Sequence, residues 1–597
     1  MSKPKTPLAS PPLALLRHPR GEGWRAFPAA REILTAASVD AVGGVLARAE
    51  QAADDGLWAV GFLCYEAAAA FDGALTAHPP GPLPPAWFAL CDPPLAVTTG
   101  QLPPGGAFEV GTLEPAITAA EHALAVRRVR GWIARGDTYQ VNYTYPLRGA
   151  FAGDPWGLFR RLWRDQRAPH AAWIDAGGHA LCSVSPELFF ELADGRVRSR
   201  PMKGTAARGR TTAEDRRRAA ALAASPKDRA ENVMIVDMIR NDLGRIATPG
   251  SVETTRLFEV ERYETLFQLT STVSARTTAG AAGVLAALFP CASITGAPKV
   301  RAMELIAELE PEARGVYTGA IGCIAPRRRA RFSVAIRTAV VDRARGALSY
   351  GTGGGIVWDS EPRDELAESA AKARVLTAPA PPFSLLETIL WEPAAGYRLL
   401  PEHLDRLVDS ACYFDVPVDR KAILGLLERQ APAAGKARRV RLLVARDGTA
   451  TVRAEPLTVL PRPCRLELAA GPVDSADAFL FHKTTHRAAY ERARRGRPEA
   501  DEVLLWNERG ELTEGTWSNL VLDLDGRRLT PALDCGLLAG TLRRRLLERG
   551  EIEERVLRVA DLARCEGVWL INSVRGWTPA VLATWTPDET AARSPAY

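Results

Sequence analysis

Residues 225–245 read SPKDRAENVMIVDMIRNDLGR and carry a strong helix signal. Ser225 suits an N-cap, and Pro226 suits the first helical position. Five residues then recur at helical spacing on one face: Asp228, Glu231, Ile235, Met238 and Asp242. Ionised carboxylates on a partly buried face need a cation or hydrogen-bond donors, because leaving them unpaired is costly. The stripe therefore indicates either a solvated helix edge or a site that holds a cation.

A second acidic helix is predicted to begin at Glu361 and Pro362, with Glu365, Glu368 and Lys372 at i, i+3 and i+7. This spacing fits an exposed Glu–Lys pair. It also fits carboxylates that face those of the first helix, which would suit Mg²⁺, a hard cation with oxygen ligands and retained waters. Neither helix alone decides between the two interpretations.

A glycine-rich run, YGTGGGI at residues 350–356, precedes this second helix. It lacks the G-x-G-x-x-G spacing and follows no strand–helix–strand pattern, which argues against a dinucleotide site. Its glycines predict either a turn or a backbone that an anionic ligand can approach closely.

The composition limits the broad class of protein. With 597 residues, 47% hydrophobic and 24% charged, the chain is typical of soluble globular proteins with several domains. Its net charge of +6 comes from scattered residues, and the basic runs 216–218, 327–329 and 543–545 are short, so we expect solvated faces and no nucleic-acid binding. Nine singly spread cysteines fit a reducing, cytoplasmic setting. The first 21 residues, interrupted by Pro11 and Pro12, predict neither a signal peptide nor a membrane span.

A proline-rich seam, TAPAPP at residues 377–382, divides the chain into residues 1–376 and 383–597. Proline at this density favours an extended linker. Both parts mix the two kinds of element. Residues 331–341, 502–506 and 519–524 look like strands, and residues 541–548 look like a helix. The sequence therefore predicts an α+β fold class.

Eight ordered segments of the first part carry a family resemblance: GDTYQVN from Gly136, SPELFF from Ser185, PMKGTAARG from Pro201, KDRAENVMIVDMIRNDLGR from Lys227, SITGAPKVRAMELI from Ser293, GVYTGAIG from Gly315, FSVAIRT from Phe332 and GTGGGIVWDSEP from Gly351. They resemble the chorismate-utilising enzymes, which include anthranilate synthase, isochorismate synthase and aminodeoxychorismate synthase component I. The resemblance implies a β-sandwich core with flanking helices. Residues 61–72 also resemble this synthase subgroup, whose early region can house a tryptophan pocket, and the sequence leaves that question open.

Lys203 is the position that separates these relatives. The resemblance implies Ala here in anthranilate and isochorismate enzymes, and Lys in aminodeoxychorismate synthases. A lysine can attack chorismate at C2 as hydroxyl leaves C4, and ammonia then resolves the adduct at C4. An ordinary ammonium would be neutral only about 0.04% of the time at pH 7, so its pKa must be lowered. Glu187 of the SPE motif would act as general acid for the departing hydroxyl.

The resemblance also implies the substrate and metal contacts. Mg²⁺ would be bound by Glu231 and Glu368, with Glu365 close by. The residues expected to hold the two substrate carboxylates are Thr295, Tyr317, Arg337, Gly353, Gly354 and Lys372. Gln268 stands where many relatives have His, and we expect no catalytic role for it.

The second part contains a candidate cofactor lysine. Lys483 follows the apolar residues 478–481, which predicts that it lies at the end of a strand. Four segments support a cofactor site: LTEGTWSNL from Leu512, HLDRL from His403, GLLAGT from Gly536 and NSVR from Asn572. They resemble type IV fold pyridoxal phosphate enzymes of the D-amino acid aminotransferase-like class. Within that class the segments are most similar to 4-amino-4-deoxychorismate lyase.

Under that resemblance Lys483 binds pyridoxal 5'-phosphate covalently and moves the ring proton, while Glu514 contacts the pyridine nitrogen. The phosphate would lie against Arg406, Gly540, Thr541 and Ser573, since Gly540 and Thr541 open a helix. Thr388 is a further candidate for proton transfer. Aminotransferases of branched-chain and D-amino acids share this lysine, glutamate and phosphate cup, so the cofactor is better determined than the reaction.

Joining the two parts suggests consecutive steps from chorismate and ammonia to p-aminobenzoate, a precursor of folate. The alternative enzyme is an anthranilate synthase joined to an aminotransferase, and Lys203 argues against it. A degenerate, binding-only subunit conflicts with the intact set of candidate residues. No segment within these residues resembles a glutamine amidotransferase, so ammonia is expected from a separate glutaminase subunit or free ammonium. A homodimer through the second part is allowed.

Overall fold

The structure is a computed structural model that describes residues 7–18, 23–431, 435–457 and 462–583. The chain divides into two compact units, Met1–Ala207 with Ala219–Ala380, and Arg208–Arg218 with Pro381–Tyr597. No sequence pattern indicated that Arg208–Arg218 would group with the second unit, and the linker at residues 377–382 remains a prediction.

Two sequence expectations concern the ends and the membrane. The predicted absence of a signal peptide rests partly on residues 1–6 and 19–22, which lie outside the described residues. In the described ranges, no helix is long and apolar enough to cross a membrane. All nine cysteines lie in these ranges and are free thiols.

The strands of the first unit are β1 Ala14–Arg17, β2 Trp24–Phe27, β3 Glu32–Thr35, β4 Trp58–Leu63, β5 Ala86–Cys91, β6 Leu95–Val97, β7 Phe108–Val110, β8 Glu114–Pro115, β9 Gln140–Gly153, β10 His170–Asp175, β11 His179–Ser185, β12 Leu188–Ala193, β13 Arg196–Arg200, β14 Met202–Ala207, β15 Glu253–Arg262, β16 Leu266–Arg276, β17 Gly296–Ala297, β18 Ala320–Ala325, β19 Arg329–Val334, β20 Thr338–Asp342 and β21 Ala347–Ile356. The helices up to the seam are α1 Val42–Asp54, α2 Ala119–Ala134, α3 Pro155–Gln166, α4 Thr212–Ala224, α5 Pro226–Gly244, α6 Ala281–Leu288, α7 Lys299–Leu309 and α8 Pro362–Thr377.

These strands form two large sheets that pack face to face. One sheet has the order β17-β9-β21-β20-β11-β10-β1-β2-β6, with β7 and β8 beside β9. The other has the order β14-β16-β13-β12-β19-β18-β4-β5-β3, with β15 beside β16. Apolar residues of both sheets, such as Ile174 and Phe62, share one buried cluster. Helices α1, α5 and α6 cover a second cluster, and α3 covers a third. The predicted β-sandwich with flanking helices is confirmed.

The two helices that open the sequence argument form as predicted. The Ser225 hydroxyl accepts a hydrogen bond from the Asp228 amide, and Pro226 begins α5. Helix α8 begins at Pro362 after Glu361, also as predicted. Short-range caps of this kind need no tertiary context, which is why the sequence locates them.

The strand-like residues 331–341 are not one strand. They divide into β19 and β20, which belong to different sheets, and Arg337 lies between them at φ 50°. A left-handed backbone is unusual for a residue with a side chain. The chain changes sheets at this point, and the break places Arg337 at the edge of a cavity.

The glycine-rich run is a strand and not a turn. Residues 350–356 belong to β21, which pairs antiparallel with β9, and Gly355 lies opposite Asn142. Of the two predicted alternatives, the turn is therefore wrong. The missing side chains leave room on the strand face for groups that approach from elsewhere.

The strands of the second unit are β22 Leu385–Glu392, β23 Gly396–Tyr397, β24 Arg438–Val444, β25 Ala450–Pro456, β26 Cys464–Leu468, β27 Glu502–Trp506, β28 Leu512–Gly515, β29 Asn519–Leu524, β30 Arg527–Pro531, β31 Glu553–Arg555, β32 Gly567–Asn572 and β33 Gly576–Leu582. Its helices are α9 Leu400–Phe414, α10 Arg420–Arg429, α11 Ala488–Arg495 and α12 Thr541–Glu548. A four-stranded sheet has the order β23-β22-β24-β25. Six further strands close into a barrel, β28-β27-β26-β33-β32-β29, through pairing of β28 with β29.

Three predicted elements of this unit match the structure: β27, β29 and α12. Lys483 does not end a strand, because residues Ala478–Leu480 form a 3₁₀ turn capped by the Asp477 side chain. The expectation of a solvated face is also wrong for Arg543. This residue is only 3% exposed, and it pairs with Glu554 and donates to the Pro531 carbonyl.

Candidate active sites

The first unit contains a cavity of about 400 Å³. The predicted site residues among its lining are Glu187, Lys203, Glu231, Tyr317, Arg337, Gly353, Glu365, Glu368 and Lys372. They come from β14, β21, α5, α8 and the connections around β12, β18 and β20. The cavity therefore gathers residues that are far apart in the sequence. Its volume is in the range of pockets for small molecules.

Lys203 lies on β14 against the backbone of β21. A Cβ atom built on Gly355 would lie 2.6 Å from the Lys203 amine and would also overlap the Gln140 amide nitrogen. Gln140 is 1% exposed, and neither atom of its amide group has a hydrogen-bond partner among the described residues. Gly355 thus leaves space for an amine and an amide that point into the same region.

The electrostatic surroundings of Lys203 suit a nucleophile. Burial lowers the pKa of its ammonium, and the charge of Lys372 acts in the same direction, whereas Glu231 opposes it. A lower pKa raises the fraction of neutral amine at neutral pH, as attack on carbon requires. The side chain keeps partial exposure where it lines the cavity.

Glu187 is 3% exposed and lies at the wall of the same cavity. The Ser293 hydroxyl donates to its Oε1 atom at 2.6 Å. Burial raises the pKa of this carboxyl to about 7, although the Ser293 hydrogen bond and the charge of Lys203 lower it. A carboxyl with this pKa can hold and release a proton near neutral pH, as a general acid must.

Carboxylates of α5 and α8 also line this cavity. The Glu368 carboxylate pairs with the Lys372 ammonium at 2.8 Å, and the Ser360 hydroxyl donates to Glu365 at 2.6 Å. Burial raises the pKa of both Glu231 and Glu365, so a cation beside them would relieve a desolvated charge. Within the described ranges, no group of three or more His, Cys, Asp or Glu could hold a metal ion. The donors nevertheless fit Mg²⁺, which uses one or two carboxylates with waters and substrate oxygens.

Of the remaining residues predicted to contact the substrate, some line the cavity and others do not. Tyr317 packs so closely against Gly351 that a Cβ atom there would overlap its ring. The Lys372 ammonium donates to the Gly353 carbonyl at 2.9 Å. Thr295 and Gly354 are not among the lining residues, and the Thr295 hydroxyl donates to backbone carbonyls of its own turn.

Several residues at or beside this cavity were not predicted as site residues. Ser293 and Asn142 line the cavity, and Ser293 is two positions before Thr295 in a quoted motif, while Asn142 ends another. Gln140 is on the strand next to Gly355, and only the pairing of β9 with β21 brings it near Lys203. Gln268, for which no catalytic role was expected, also lines the cavity, where its amide donates to the Thr205 hydroxyl at 3.0 Å. The quoted motifs contain Ser293, Asn142 and Gln140, but their side chains are uncharged and gave no separate signal.

The second unit contains a cavity of about 310 Å³. The predicted site residues among its lining are Thr388, Arg406, Lys483, Glu514, Gly540, Thr541 and Ser573. The structure therefore brings together all the residues named for the second site.

The backbone holds Lys483 beside β22. The Leu386 amide donates to the Lys483 carbonyl at 2.9 Å, and Thr485 and Ser384 exchange hydrogen bonds on the next pair. Burial, with the charge of Arg406, lowers the pKa of Lys483 to about 8. About a tenth of the amine is then neutral at pH 7.

Glu514 lies at one end of this cavity and accepts three hydrogen bonds. They come from the Tyr490 hydroxyl at 2.7 Å, the Asn519 amide at 3.1 Å and the Leu538 backbone amide at 3.1 Å. Burial raises the pKa of this carboxyl to about 7. The network fixes the carboxylate in one orientation.

An anion cradle lies at the N-terminus of α12. Gly540 caps this helix, and a Cβ atom on Gly540 would overlap the Asn519 side chain. His403 contacts the Ser573 hydroxyl at 3.0 Å and the Thr541 hydroxyl at 3.4 Å. Backbone amides at a helix N-terminus and hydroxyl donors are the groups that bind phosphate.

Glu387 organises this cradle, and sequence reasoning did not single it out. It is 1% exposed and accepts from Arg406 at 2.6 and 2.9 Å and from His403 at 2.7 Å. Despite burial, Arg406 and His403 lower the pKa of Glu387 to about 2. Sequence reasoning noted the neighbouring Thr388, but no local pattern in this strand indicated that Glu387 forms a buried ion pair with α9.

The donor set of the second cavity fits pyridoxal 5'-phosphate. The cradle suits the phosphate, Glu514 supplies an acidic partner for a ring nitrogen, and Lys483 lines the same cavity. A phosphorylated aromatic aldehyde carries complementary groups, namely an anion, a basic nitrogen and an electrophilic carbon.

Comparison with known proteins finds a matching family profile for each part of the chain. Residues 14–378 match the sequence profile described as chorismate binding enzyme, and residues 384–582 match the profile Amino-transferase class IV. The first match covers more than half of the chain. The chain belongs to the chorismate binding enzyme family.

Curated relatives resemble the first part. Aminodeoxychorismate synthase component 1 of Salmonella typhimurium is 43% identical over 265 residues, which are 44% of this chain and 58% of that protein. Anthranilate synthase component 1 of Streptomyces coelicolor is 41% identical over 263 residues, 44% of this chain and 51% of that protein. The chain thus spans about half the length of the curated relatives it matches.

A solved structure shows the same fold for the first part. It is anthranilate synthase component I from Streptococcus pneumoniae, with a TM-score of 0.51 and 23% identity, covering 63% of this chain and 93% of that chain. The overall similarity to both synthase classes is comparable, so identity alone does not decide which reaction this chain performs.

Proposed function

We propose that the chain makes p-aminobenzoate in two steps. The first site would aminate chorismate to 4-amino-4-deoxychorismate, and the second would remove pyruvate from that product. The observation that carries the proposal is the Lys203 amine in one cavity with Glu187, whose pKa burial raises to about 7.

In the first step the neutral Lys203 amine attacks C2 of chorismate, and the double bond shifts as the C4 hydroxyl leaves. Glu187 protonates that hydroxyl, since hydroxide itself is a poor leaving group. Ammonia then bonds to C4, and the Lys203 amine departs from C2. Tyr317 and Arg337 would hold the substrate carboxylates. Glu231 and Glu368, with Glu365 nearby, would hold Mg²⁺, which supplies charge neutralisation for a bound carboxylate.

In the second step the residues around Lys483 orient the amine and move one proton. Pyridoxal 5'-phosphate, when bound, draws electrons away from the carbon that carries the substrate amine. Lys483 takes the proton from C4 of the ring. The enolpyruvyl group leaves as pyruvate when the ring becomes aromatic. Glu514 would hold the ring nitrogen of the cofactor, and Arg406, Gly540, Thr541 and Ser573 would hold its phosphate.

The juxtaposition of the two sites supports this order of reactions. The first produces the amine that the second consumes, whereas an anthranilate synthase and an aminotransferase would share no intermediate. Lys203 further disfavours that alternative. The designation component 1 in the Salmonella relative supports a separate glutaminase partner as ammonia source. Free thiols at all nine cysteines support a cytoplasmic location.

The test is a product assay. Purified protein is incubated with chorismate, ammonium, Mg²⁺ and pyridoxal 5'-phosphate, and the aromatic product is identified by chromatography with mass and absorbance. We expect p-aminobenzoate and one equivalent of pyruvate. Anthranilate as the product would rule out the proposal for the first site.

Supplying 4-amino-4-deoxychorismate directly tests the second site alone. Formation of p-aminobenzoate without chorismate or ammonium is expected. If the added compound persists while amino acids are converted to oxo acids, the second site is an aminotransferase.

A further inference from the structure

The second cavity carries an excess of positive charge. Its cationic lining residues are Arg406, Arg439, Arg441, Lys483, Arg487 and Arg575. In the described part of the chain, Glu514 is the one acid that lines it. Cationic side chains therefore outnumber acidic ones in the lining, which suits a ligand that carries anionic groups in addition to the cofactor phosphate.

Two of these arginines already serve other contacts. Arg406 is held by both oxygens of the buried Glu387 carboxylate. Arg487 donates to the Thr516 carbonyl, and its guanidinium lies 4.3 Å from the Tyr490 ring centroid. Arg406 thus belongs to the cradle, and Arg487 belongs to the surroundings of Glu514.

The other three arginines form a separate cluster, which we call the arginine subsite: Arg439, Arg441 and Arg575. Arg439 and Arg441 are two positions apart on β24, so their side chains share a face of the sheet. Thr388, another lining residue, lies opposite Arg441 on β22. Arg575 follows β32 and lies 4.9 Å from the Trp517 ring centroid.

Buried donors of the subsite lack partners. The Nε–H groups of Arg439 and Arg575 are buried without a hydrogen-bond partner among the described residues. Burial, and then the charge of Arg439, lower the pKa of Arg575, so the two guanidinium groups are close to each other. Two positive charges in a desolvated site repel each other, and their unused N–H groups can donate hydrogen bonds. An anion bound between them would relieve the repulsion and accept those hydrogen bonds.

The chemistry of the donors selects a carboxylate. A planar guanidinium donates two parallel hydrogen bonds to a carboxylate. Glu455 pairs with Arg439, and Glu502, which is not a lining residue, acts on the charge of Arg575. Among the described residues neither Arg441 nor Arg575 forms an ion pair, so each guanidinium group can donate to one carboxylate.

We propose that the arginine subsite binds the carboxylates of a dicarboxylic amine and excludes amino acids with a single carboxylate. The inference rests on the proposed lyase function and deepens it, because 4-amino-4-deoxychorismate carries a ring carboxylate and an enolpyruvyl carboxylate. Arg439, Arg441 and Arg575 are then specificity-determining residues that favour amines with two carboxylates over amines with one.

The test uses Arg441→Ala and Arg575→Ala in the full chain loaded with pyridoxal 5'-phosphate. Each should raise the KM for 4-amino-4-deoxychorismate about 10- to 100-fold, the effect of losing a charged hydrogen bond, while kcat changes less. Arg441→Lys should recover part of the loss, since it restores the charge but not the fork. The matched control is Arg438→Ala, on the same strand but on the opposite face.

A binding measurement separates this inference from the proposed function. Calorimetric titration with isophthalate, which has two carboxylates, is compared with benzoate, which has one. Wild type should bind isophthalate more tightly, and the preference should shrink in Arg441→Ala and Arg575→Ala but not in Arg438→Ala.

Two results would overturn different statements. If wild type cleaves the substrate and both alanine variants behave like Arg438→Ala in KM and titration, the arginine subsite does not exist. If wild type fails to cleave the substrate but the isophthalate preference depends on Arg441 and Arg575, the lyase proposal fails and the dicarboxylate subsite stands. Unchanged circular dichroism and cofactor absorbance show that the variants are folded and loaded.

Discussion

The two cavities use the same pair of residue types in different surroundings. Each contains a lysine whose pKa is lowered by burial and a glutamate whose pKa burial raises to about 7. Glu187 accepts hydrogen bonds from the Ser293 hydroxyl at 2.6 Å and the Cys291 thiol at 4.0 Å, and the charge of Lys203 acts on it. Glu514 accepts from the Tyr490 hydroxyl, the Asn519 amide and the Leu538 backbone amide. Glu187 thus lies among donors that can themselves exchange protons, whereas Glu514 is held partly by a backbone N–H group. The surroundings, and not the residue types, thus assign the chemical role.

Replacing each lysine in turn by alanine gives the largest expected effects on the reaction rates. Lys203→Ala should slow formation of 4-amino-4-deoxychorismate by roughly 10³-fold or more, as loss of a nucleophile does, and leave cleavage of added intermediate unchanged. Lys483→Ala should do the reverse and remove the absorbance band of the bound cofactor. The first step is measured as the release of 4-amino-4-deoxychorismate, and the second as the release of p-aminobenzoate. Equal loss of both steps in either variant would mean that the cavities do not act independently.

Gly355→Ala should sharpen the contrast within the first site. The new Cβ atom would displace the ends of two flexible side chains, Lys203 and Gln140, so the fold should tolerate it. A misplaced nucleophile costs about 10²-fold in rate. We expect that loss in the first step only, measured as kcat for chorismate consumption.

The control for this variant is Gly178→Ala, which meets open space in the turn between β10 and β11 of the same sheet. A normal rate in Gly355→Ala would show that the contact with Lys203 has no catalytic importance.

The pH dependence of the first step should report Glu187. The active form needs the protonated Glu187 carboxyl, whose pKa is about 7, together with the neutral Lys203 amine, so kcat/KM should fall about tenfold per pH unit above the pKa values of both groups. Ser293→Ala removes a hydrogen bond that favours the ionised form. The alkaline limb of the profile should therefore move to higher pH. A limb that stays in place would separate Glu187 from the proton transfer.

The smallest effects concern helix caps in the two units. Ser225→Ala and Asp419→Ala each remove a side chain that accepts backbone N–H groups at the start of a helix, α5 and α10 respectively. Each should lower the free energy of unfolding by about 1 kcal/mol. The temperature at which the synthase step is lost should fall in the first variant, and the temperature at which the lyase step is lost should fall in the second. Ser225→Asp, which keeps a cap, should restore the first.

Much of the fold could be predicted from local patterns. Residues 502–506, 519–524 and 541–548 form the predicted elements, and α5 and α8 begin at the predicted caps. These signals depend on neighbouring residues alone. Lys483 was misplaced because its apolar run has the composition of a strand, while the Asp477 cap turns it into a 3₁₀ segment.

The sequence by itself determined the chemistry of the two candidate sites, because motif residues such as Lys203, Glu187, Lys483 and Glu514 carry it in their side chains. Only the tertiary structure decided which groups surround them. Gln140 reaches Lys203 across Gly355, and Glu387 holds Arg406, through pairings of distant segments. Burial then sets the proton affinities of the lysines and carboxyls. Desolvation depends on everything that packs around a group, and no local pattern encodes that.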